Sequence, residues 1–314
     1  MKILITGSRG FVGASFGNFA SAAGHEVLGI SRSSQPEPGW PGRHVQGDAA
    51  QADLAAIIRD FNPDLLLQAA GSASVGASIA DPVGDFRATA VTLINVLDGV
   101  RRSGREPLVV FPSSAAVYGN PASLPVSEDA PCAPISPYGF HKTACEFFAR
   151  EYAQCFGMST VVCRIFSLFG SLQRRLLAWE IFAQLAGKAD VLELQGTGTE
   201  TRDFLHMDDL SRAILMLTPA VPRRECTILN VAGGRETPIL ELAETMRAMV
   251  APSKKIACRG IARPGDPHRW CADIRRLQSL VPEWQPQEMT AGLEATIRDW
   301  RHTARSTPAR GTGE

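Results

Sequence analysis

The chain has 314 residues, 32 of them basic and 32 acidic, with 45% hydrophobic and 20% charged side chains. That apolar share excludes a disordered chain, and the length suits one large domain or two intimately joined ones. Zero formal charge removes any global electrostatic case for nucleic acid or an anionic membrane surface, so phosphate must be handled by local groups.

No apolar run approaches bilayer-spanning length, and the opening MKILITG reads as a strand and glycine turn, not as a secretory leader. Cys132, Cys145, Cys155, Cys163, Cys226, Cys258 and Cys271 are odd in number and form no CxxC pair, and the six histidines do not cluster. The expectation is a reduced, metal-free, cytoplasmic enzyme-sized protein.

Lys2–Thr6 is a continuous apolar run, a strand, and Phe11–Ala23 has helical spacing. Between them lies Gly7-Ser8-Arg9-Gly10-Phe11-Val12-Gly13. A dinucleotide needs its pyrophosphate close to backbone N–H groups at a helix N-terminus. Gly7 permits the turn, Gly10 the close approach, and Gly13 the packing of helix on strand, in GxxGxxG spacing. Phe11 and Val12 fall in the same turn.

Glu26–Ser31 is the second strand. A carboxylate at its end ordinarily accepts from the ribose 2′-hydroxyl of NAD. Here the strand ends in Ser31, Arg32 and Ser33, with no acid before Glu37. A guanidinium and hydroxyls suit a 2′-phosphate, so the expected cofactor is NADP in preference to NAD. Asp48 and Ala49 follow a third strand, where the carboxylate can meet the adenine amino group. Leu54–Phe61 reads as a helix and Asp64–Ala69 as a strand, leading to Ala69, Ala70 and Gly71 in the same crevice. Asp85–Ser103 reads as a long helix and Pro107–Pro112 as a strand. Such alternation, with unbroken apolar strands, predicts an α/β fold of Rossmann type, a doubly wound parallel sheet covered on both faces.

Ser113 and Ser114 end that strand, where ligands sit in open α/β sheets. Ser136-Pro137 opens a helix over Pro137–Phe156, with Tyr138 and Lys142 four residues apart on one face. A nearby ammonium stabilises a phenolate, and such a tyrosine can exchange a proton with a sugar hydroxyl while a nicotinamide handles hydride. Ser114 is placed to share that proton.

Ser159–Phe166 is another strand. Beyond Gly170 the alternation loosens, with helices at Leu176–Ala186, within Arg202–Leu217 and at Ile239–Val250, a strand at Thr227–Ala232, and a closing helix at Ala291–Trp300. The expected organisation is a cofactor domain over 1–170, a smaller C-terminal substrate-binding lobe over 171–301 that returns elements to it, and a flexible tail over 302–314.

From Lys2 to Trp300 the chain resembles the extended short-chain dehydrogenase/reductase superfamily, in its nucleotide-sugar epimerase, dehydratase and reductase branch. The likeness rests on the ordered series TGSRGFVG, GD at 47–48, SSAAVYG, SPYGFHK, RIFSLFG, GTGTETRDFLHMDDL, NVAGG and RPGD. It implies a catalytic Ser114–Tyr138–Lys142 triad, with Lys142 also holding the nicotinamide ribose. It implies a nucleoside-diphosphate sugar whose diphosphate meets Arg202 and Arg263 and whose ribose meets Asp266. Ser167 stands where the family carries an asparagine, and Arg174 adds charge near the expected substrate cleft. The likeness also implies a homodimer through the helices at 85–103 and 137–156, while Asp209 and Asp273 read as structural.

Sugar 4,6-dehydratases of that family carry acids where this chain has Ala115 and Ala116, as do the decarboxylating relatives at the second position, and the fucose-type 3,5-epimerase-reductases use a cysteine there. Alanine can neither remove nor donate a proton. Chemistry needing only hydride and the Tyr/Ser relay remains. The cofactor argument puts an NADP(H)-dependent 4-ketoreductase first and a 4-epimerase second.

Overall fold

The computed structural model describes residues 1–261 and 267–306. In the first half, β1 (Lys2–Thr6), α1 (Phe11–Ala22), β2 (Glu26–Ser31), β3 (Arg43–Gln46), α2 (Leu54–Phe61) and β4 (Leu65–Gln68) follow one another. Then come α3 (Val75–Ala80), α4 (Pro82–Phe86), a π-turn (Arg87–Val91), α5 (Thr92–Ser103), β5 (Leu108–Ser114), a 3₁₀ turn (Ala115–Val117) and α6 (Pro137–Phe156). The second half contains β6 (Thr160–Ile165), β7 (Ser167–Phe169), α7 (Leu176–Ala186), β8 (Val191–Leu194), β9 (Thr201–Arg202) and β10 (Phe204–His206). It closes with α8 (Met207–Ala220), β11 (Cys226–Val231), β12 (Thr237–Pro238), α9 (Ile239–Val250), β13 (Lys255–Cys258), α10 (Arg275–Leu280) and α11 (Met289–Ser306).

The main sheet has seven strands in the order β11-β6-β5-β4-β1-β2-β3, all paired in parallel. This is the doubly wound arrangement, whose order reverses between β1 and β4 and opens a crevice at their carboxyl ends. Alternate residues of each strand enter opposite layers. Ile3, Ile5, Leu65, Leu67 and Val110 pack with Phe16 of α1 and with Leu210, Ile214 and Leu217 of α8. Leu4, Leu28, Leu66, Val109 and Val162 pack on the other side with Ile58, Leu93, Val96, Leu97 and Cys145. A separate core joins Phe182, Leu192, Leu242, Met246 and Trp300 in the C-terminal part.

The helix expected over Asp85–Ser103 starts at Pro82 instead. Asp81 caps it, accepting from the Gly84 N–H at 2.8 Å, with proline in the first turn. Its path is interrupted by the π-turn at 87–91, a feature that concentrates at functional sites. The strands β8 and β13, which pair with one another, carry no such sequence signal. Both are only four residues long; β8 buries Leu192 and Leu194 on one face and β13 is largely exposed, so neither has an apolar run to mark it. The closing helix runs on to Ser306 rather than ending at Trp300, and the remainder of the expected tail, 307–314, lies outside the described residues.

Candidate active site

At the carboxyl end of β1, Gly7 adopts φ 68°. A Cβ there would lie 2.6 Å from the Ala70 backbone nitrogen, and one on Gly13 would collide with the Gly7 carbonyl. Close approach of turn, helix and β4 loop therefore requires glycine at both positions. No side chain caps the start of α1, whereas α6 is capped by Ser136, which accepts from the Gly139 N–H at 3.2 Å. The first-turn N–H groups of α1, those of Phe11, Val12 and Gly13, are thus left for an anion.

A cavity of about 660 Å³ opens beside this turn. Its lining includes Gly7, Gly10, Ser31, Arg32, Ser33, Asp48, Ala49, Ala69, Ala70 and Gly71. The glycine cradle, the uncapped helix and the volume of this cavity together fit a dinucleotide. Among the lining residues outside the sequence expectation are Arg9, Gly84, Arg87, Ala88 and Thr92. Arg9 donates from Nη1 to Ser33 Oγ at 2.5 Å and to the Gln35 carbonyl at 3.2 Å, and it pairs with Glu37 at 3.4 Å. A basic residue inside a phosphate turn was the available signal. Ser31 Oγ lies 2.9 Å from His44 Nε2, and burial, followed by the nearby Arg9 cation, holds that imidazole below its usual range. Asp48 Oδ1 accepts from the Ala50 N–H at 3.0 Å, which fixes the turn after β3.

Ser114, Tyr138 and Lys142 lie beyond that lining, at the carboxyl end of β5 and the start of α6. Lys142 donates to the Pro112 carbonyl at 2.7 Å, with its ammonium 4.6 Å from the Phe111 ring centroid and 5.6 Å from that of Tyr138. The two serines separate clearly. Ser113 is buried and donates to Glu146 Oε1 at 2.6 Å. Ser114 stays half-exposed, its Oγ accepting from the Ala116 N–H at 3.2 Å. Behind them, buried Arg164 donates to both Glu146 oxygens, at 3.0 and 2.7 Å, and to Tyr118 Oη at 2.8 Å. Tyr118 donates onward to Asn230 Oδ1 at 2.7 Å. Burial pushes the Tyr118 phenol far above its ordinary range, which leaves it a fixed donor.

Arg202, in β9, is buried. It donates to the carbonyls of Thr201 at 2.8 Å and Pro267 at 2.9 Å, and its guanidinium lies 5.4 Å from the Trp270 ring centroid. Trp270 donates to the Gly119 carbonyl at 3.1 Å, which ties this group to the loop after Ser114. Ser167 is half-buried on β7, its N–H donating to the Asp203 carbonyl at 2.8 Å. The Asp203 side chain accepts from the N–H groups of Gly233 at 2.7 Å, Gly234 at 3.1 Å and Ala272 at 3.0 Å. Burial nonetheless pushes its carboxyl up to about 7. Arg174 is exposed. It donates to the Ser171 and Gln173 carbonyls at 2.6 and 2.7 Å and stacks 5.0 Å from the Trp179 centroid, an arrangement that occupies it with its own loop and α7. Arg263 and Asp266 lie outside the described residues. Asp209 accepts from the Gln287 N–H at 3.1 Å, and Asp273 pairs with Arg275.

A model of the NAD-dependent epimerase/dehydratase family matches residues 3–232. The chain belongs to that family. Its members among curated proteins include a UDP-glucose 4-epimerase of Azospirillum brasilense, 28% identical over 96% of this chain and 92% of that protein. A dTDP-4-dehydro-6-deoxy-D-allose reductase of Streptomyces bikiniensis is 27% identical over 96% and 97% of the two chains. Among solved structures, MoeE5 in complex with UDP-glucuronic acid and NAD is 27% identical with a TM-score of 0.87, covering 96% of this chain and all (100%) of that one. The seven-stranded sheet and its helices are those of this epimerase/dehydratase fold, and the protein is an enzyme of the family.

Proposed function

We propose that this enzyme acts at C4 of a nucleoside-diphosphate sugar and that the reaction is 4-epimerisation. One observation carries the choice of chemistry. Ala115 and Ala116 are buried methyl groups beside Ser114, where an acid or thiol would be needed for elimination, decarboxylation or 3,5-epimerisation. Proton exchange then falls to Ser114 and Tyr138, with Lys142 one turn away. The sequence alone puts a 4-ketoreductase first. The relatives favour the other reading, because UDP-glucose 4-epimerases outnumber reductases among them.

In this reading the cofactor is held by the first-turn N–H groups of α1, the 31–33 and 48–49 edges, Ala69–Gly71 and Lys142. The nicotinamide, when bound, supplies hydride acceptance and return. Tyr138 Oη takes the proton of the C4 hydroxyl and later gives it back. Ser114 Oγ hydrogen-bonds the same oxygen, and the Lys142 ammonium assists electrostatically. Arg202, Arg263, Ser167 and Asp266 are assigned to the nucleoside diphosphate, with Arg174 at its margin.

A second reading, reduction of a 4-keto sugar by NADPH, is favoured by the guanidiniums of Arg9 and Arg32 and the hydroxyl of Ser33 in the cavity lining, which suit a 2′-phosphate. Against it, the family is NAD-dependent and solved relatives hold NAD. The test is to release any bound cofactor from purified protein with acid, identify it, and assay UDP-glucose and UDP-galactose interconversion with none added. Stoichiometric NAD and interconversion support the epimerase. Absence of bound cofactor, with NADPH-dependent turnover of a 4-keto-6-deoxy nucleotide sugar, would replace it with the reductase.

We further propose a cytoplasmic homodimer. Val83, Val91, Phe140 and Phe147 are exposed along α4–α6, with Phe147 at 62% of its surface. Light scattering showing monomer alone at micromolar concentration would defeat that proposal. Among the described residues no helix is long and apolar enough to cross a membrane.

A further inference from the structure

The helical segment that lines the cofactor cavity is fastened to the helix carrying Tyr138 and Lys142 by a short side-chain hydrogen bond. Asp85 is buried, and its Oδ2 lies 2.6 Å from His141 Nδ1. Its immediate neighbours Gly84, Arg87 and Ala88 line the cavity. His141 stands between Tyr138 and Lys142 in the sequence of α6, three residues from the first and adjacent to the second. By helical spacing it lies on the same stripe as Tyr138, Lys142 and Cys145, of which the last two are buried. Phe86 closes over the imidazole edge-on, with ring centroids 5.4 Å apart. A second tie runs parallel to the first: the Tyr138 N–H donates to Ser78 Oγ on α3 at 3.0 Å.

The pair is not explained by stability alone. Asp85 Oδ1 is buried with no hydrogen-bond partner among the described residues. A half-satisfied buried carboxylate opposes folding, and removing it in favour of apolar packing is often neutral or stabilising. Directly after it the helix breaks its regular hydrogen-bond pattern in the π-turn at 87–91, a feature that recurs at functional sites and here forms part of the cavity wall. An imidazole locked by a carboxylate on one ring nitrogen has a fixed orientation.

We propose that Asp85 and His141 are positioning residues that transmit occupancy of the cofactor cavity to the catalytic helix, setting where Tyr138 and Lys142 stand. Cofactor entering against Gly84, Arg87 and Ala88 moves Asp85, and Asp85 moves His141 and its two neighbours. The inference rests on the reading of the cavity as the cofactor site and of Tyr138 as the proton-exchanging group.

The experiment compares the full-length wild type with His141→Phe, His141→Asn, Asp85→Asn and Tyr138→Phe. It measures NAD+ and NADPH affinity by fluorescence titration, turnover on the sugar pair that the wild type accepts, and thermal midpoint. Histidine ring resonances are followed as cofactor is added. His141→Phe is expected to weaken cofactor binding about tenfold and to lower kcat on the order of 10- to 100-fold, the cost of misplacing a reacting group by a fraction of an ångström or more. His141→Asn, whose amide N–H replaces the Nδ1–H, is expected to recover most of both. The His141 resonance should move with cofactor in the wild type and remain still in Asp85→Asn. Tyr138→Phe should bind cofactor normally and lose turnover. If it keeps turnover, the functional reading fails. If that control behaves but His141→Phe binds and turns over like wild type, or His141→Asn rescues nothing, the coupling is overturned. Should His141→Phe not fold, Asp85→Asn decides: weakened binding and a still resonance support the coupling, and wild-type binding with a resonance that moves overturns it.

Discussion

Asp203 offers a quantitative test of how the C-terminal part is held. Its carboxyl is fully buried and receives backbone N–H groups from two separate segments, around Gly233 and around Ala272. Burial raises it to about 7, whereas an unfolded aspartate titrates near ~3.9. Between these values the folded state binds the extra proton, so stability is greatest at low pH and is lost as pH rises through 7. From pH 5.5 to pH 8 the loss is about 2 kcal/mol, the product of roughly 1.5 pH units below the folded value and about 1.4 kcal/mol per unit. For a chain of this length that corresponds to roughly 3 °C in Tm. Asp203→Asn mimics the protonated form. It carries its own constant cost, because its amide cannot accept as many donors, but it removes the pH dependence of this site. Thermal midpoints of both proteins at half-unit intervals isolate it, since the histidines are common to both and cancel on subtraction. The wild-type advantage should shrink by about 2 kcal/mol between pH 5.5 and 8. Parallel profiles over that window would refute the reasoning.

Replacing Arg164 with methionine leaves the Glu146 carboxylate buried without its ion-pair partner, only Ser113 among the described residues still donating to it, and should cost about 3–5 kcal/mol in a urea unfolding series. A loss under about 1 kcal/mol would show that the pair is dispensable. Gly7→Ala should abolish cofactor binding at concentrations that saturate the wild type, because the new methyl meets the Ala70 backbone and the residue needs positive φ; unchanged binding in a titration would remove the turn from the cofactor site. Burial pushes the Cys145 and Cys163 thiols up to about 12, so at pH 8 a maleimide should label the exposed Cys155 and Cys258 while sparing those two until denaturant is added. Mass spectrometry of the labelled peptides decides it, and early labelling of Cys163 would contradict the packing.

Strands β1, β2, β4, β5 and β6 are legible because residues buried on both sheet faces must be apolar in unbroken runs. The start of α6 is legible because Ser136 and Pro137 announce a capped first turn. Helix α3 and the earlier start of α4 are not, since Ser74–Ala80 (SVGASIA) is short, with only Val75 and Ile79 as sizeable apolar residues, and only Asp81-Pro82 marks the junction. Arg9 falls at an unassigned position inside the glycine turn, and its reach to Ser33 and Glu37 depends on the fold of the loop after β2. The distinction between Ser113 and Ser114 needs strand alternation plus a partner 33 residues away, Glu146. The Asp85–His141 contact, between residues 56 apart, leaves no local signature at all.

Strand β11 comes from residues 226–231 yet completes the main sheet beside β6, and α8 covers the layer formed by Ile3, Ile5 and Phe16. A chimaera that exchanges everything after Gly170 would therefore strip one edge and one flank from the recipient. Grafts meant to alter sugar preference have to travel as two separate inserts, on either side of 203–232, with that stretch left native.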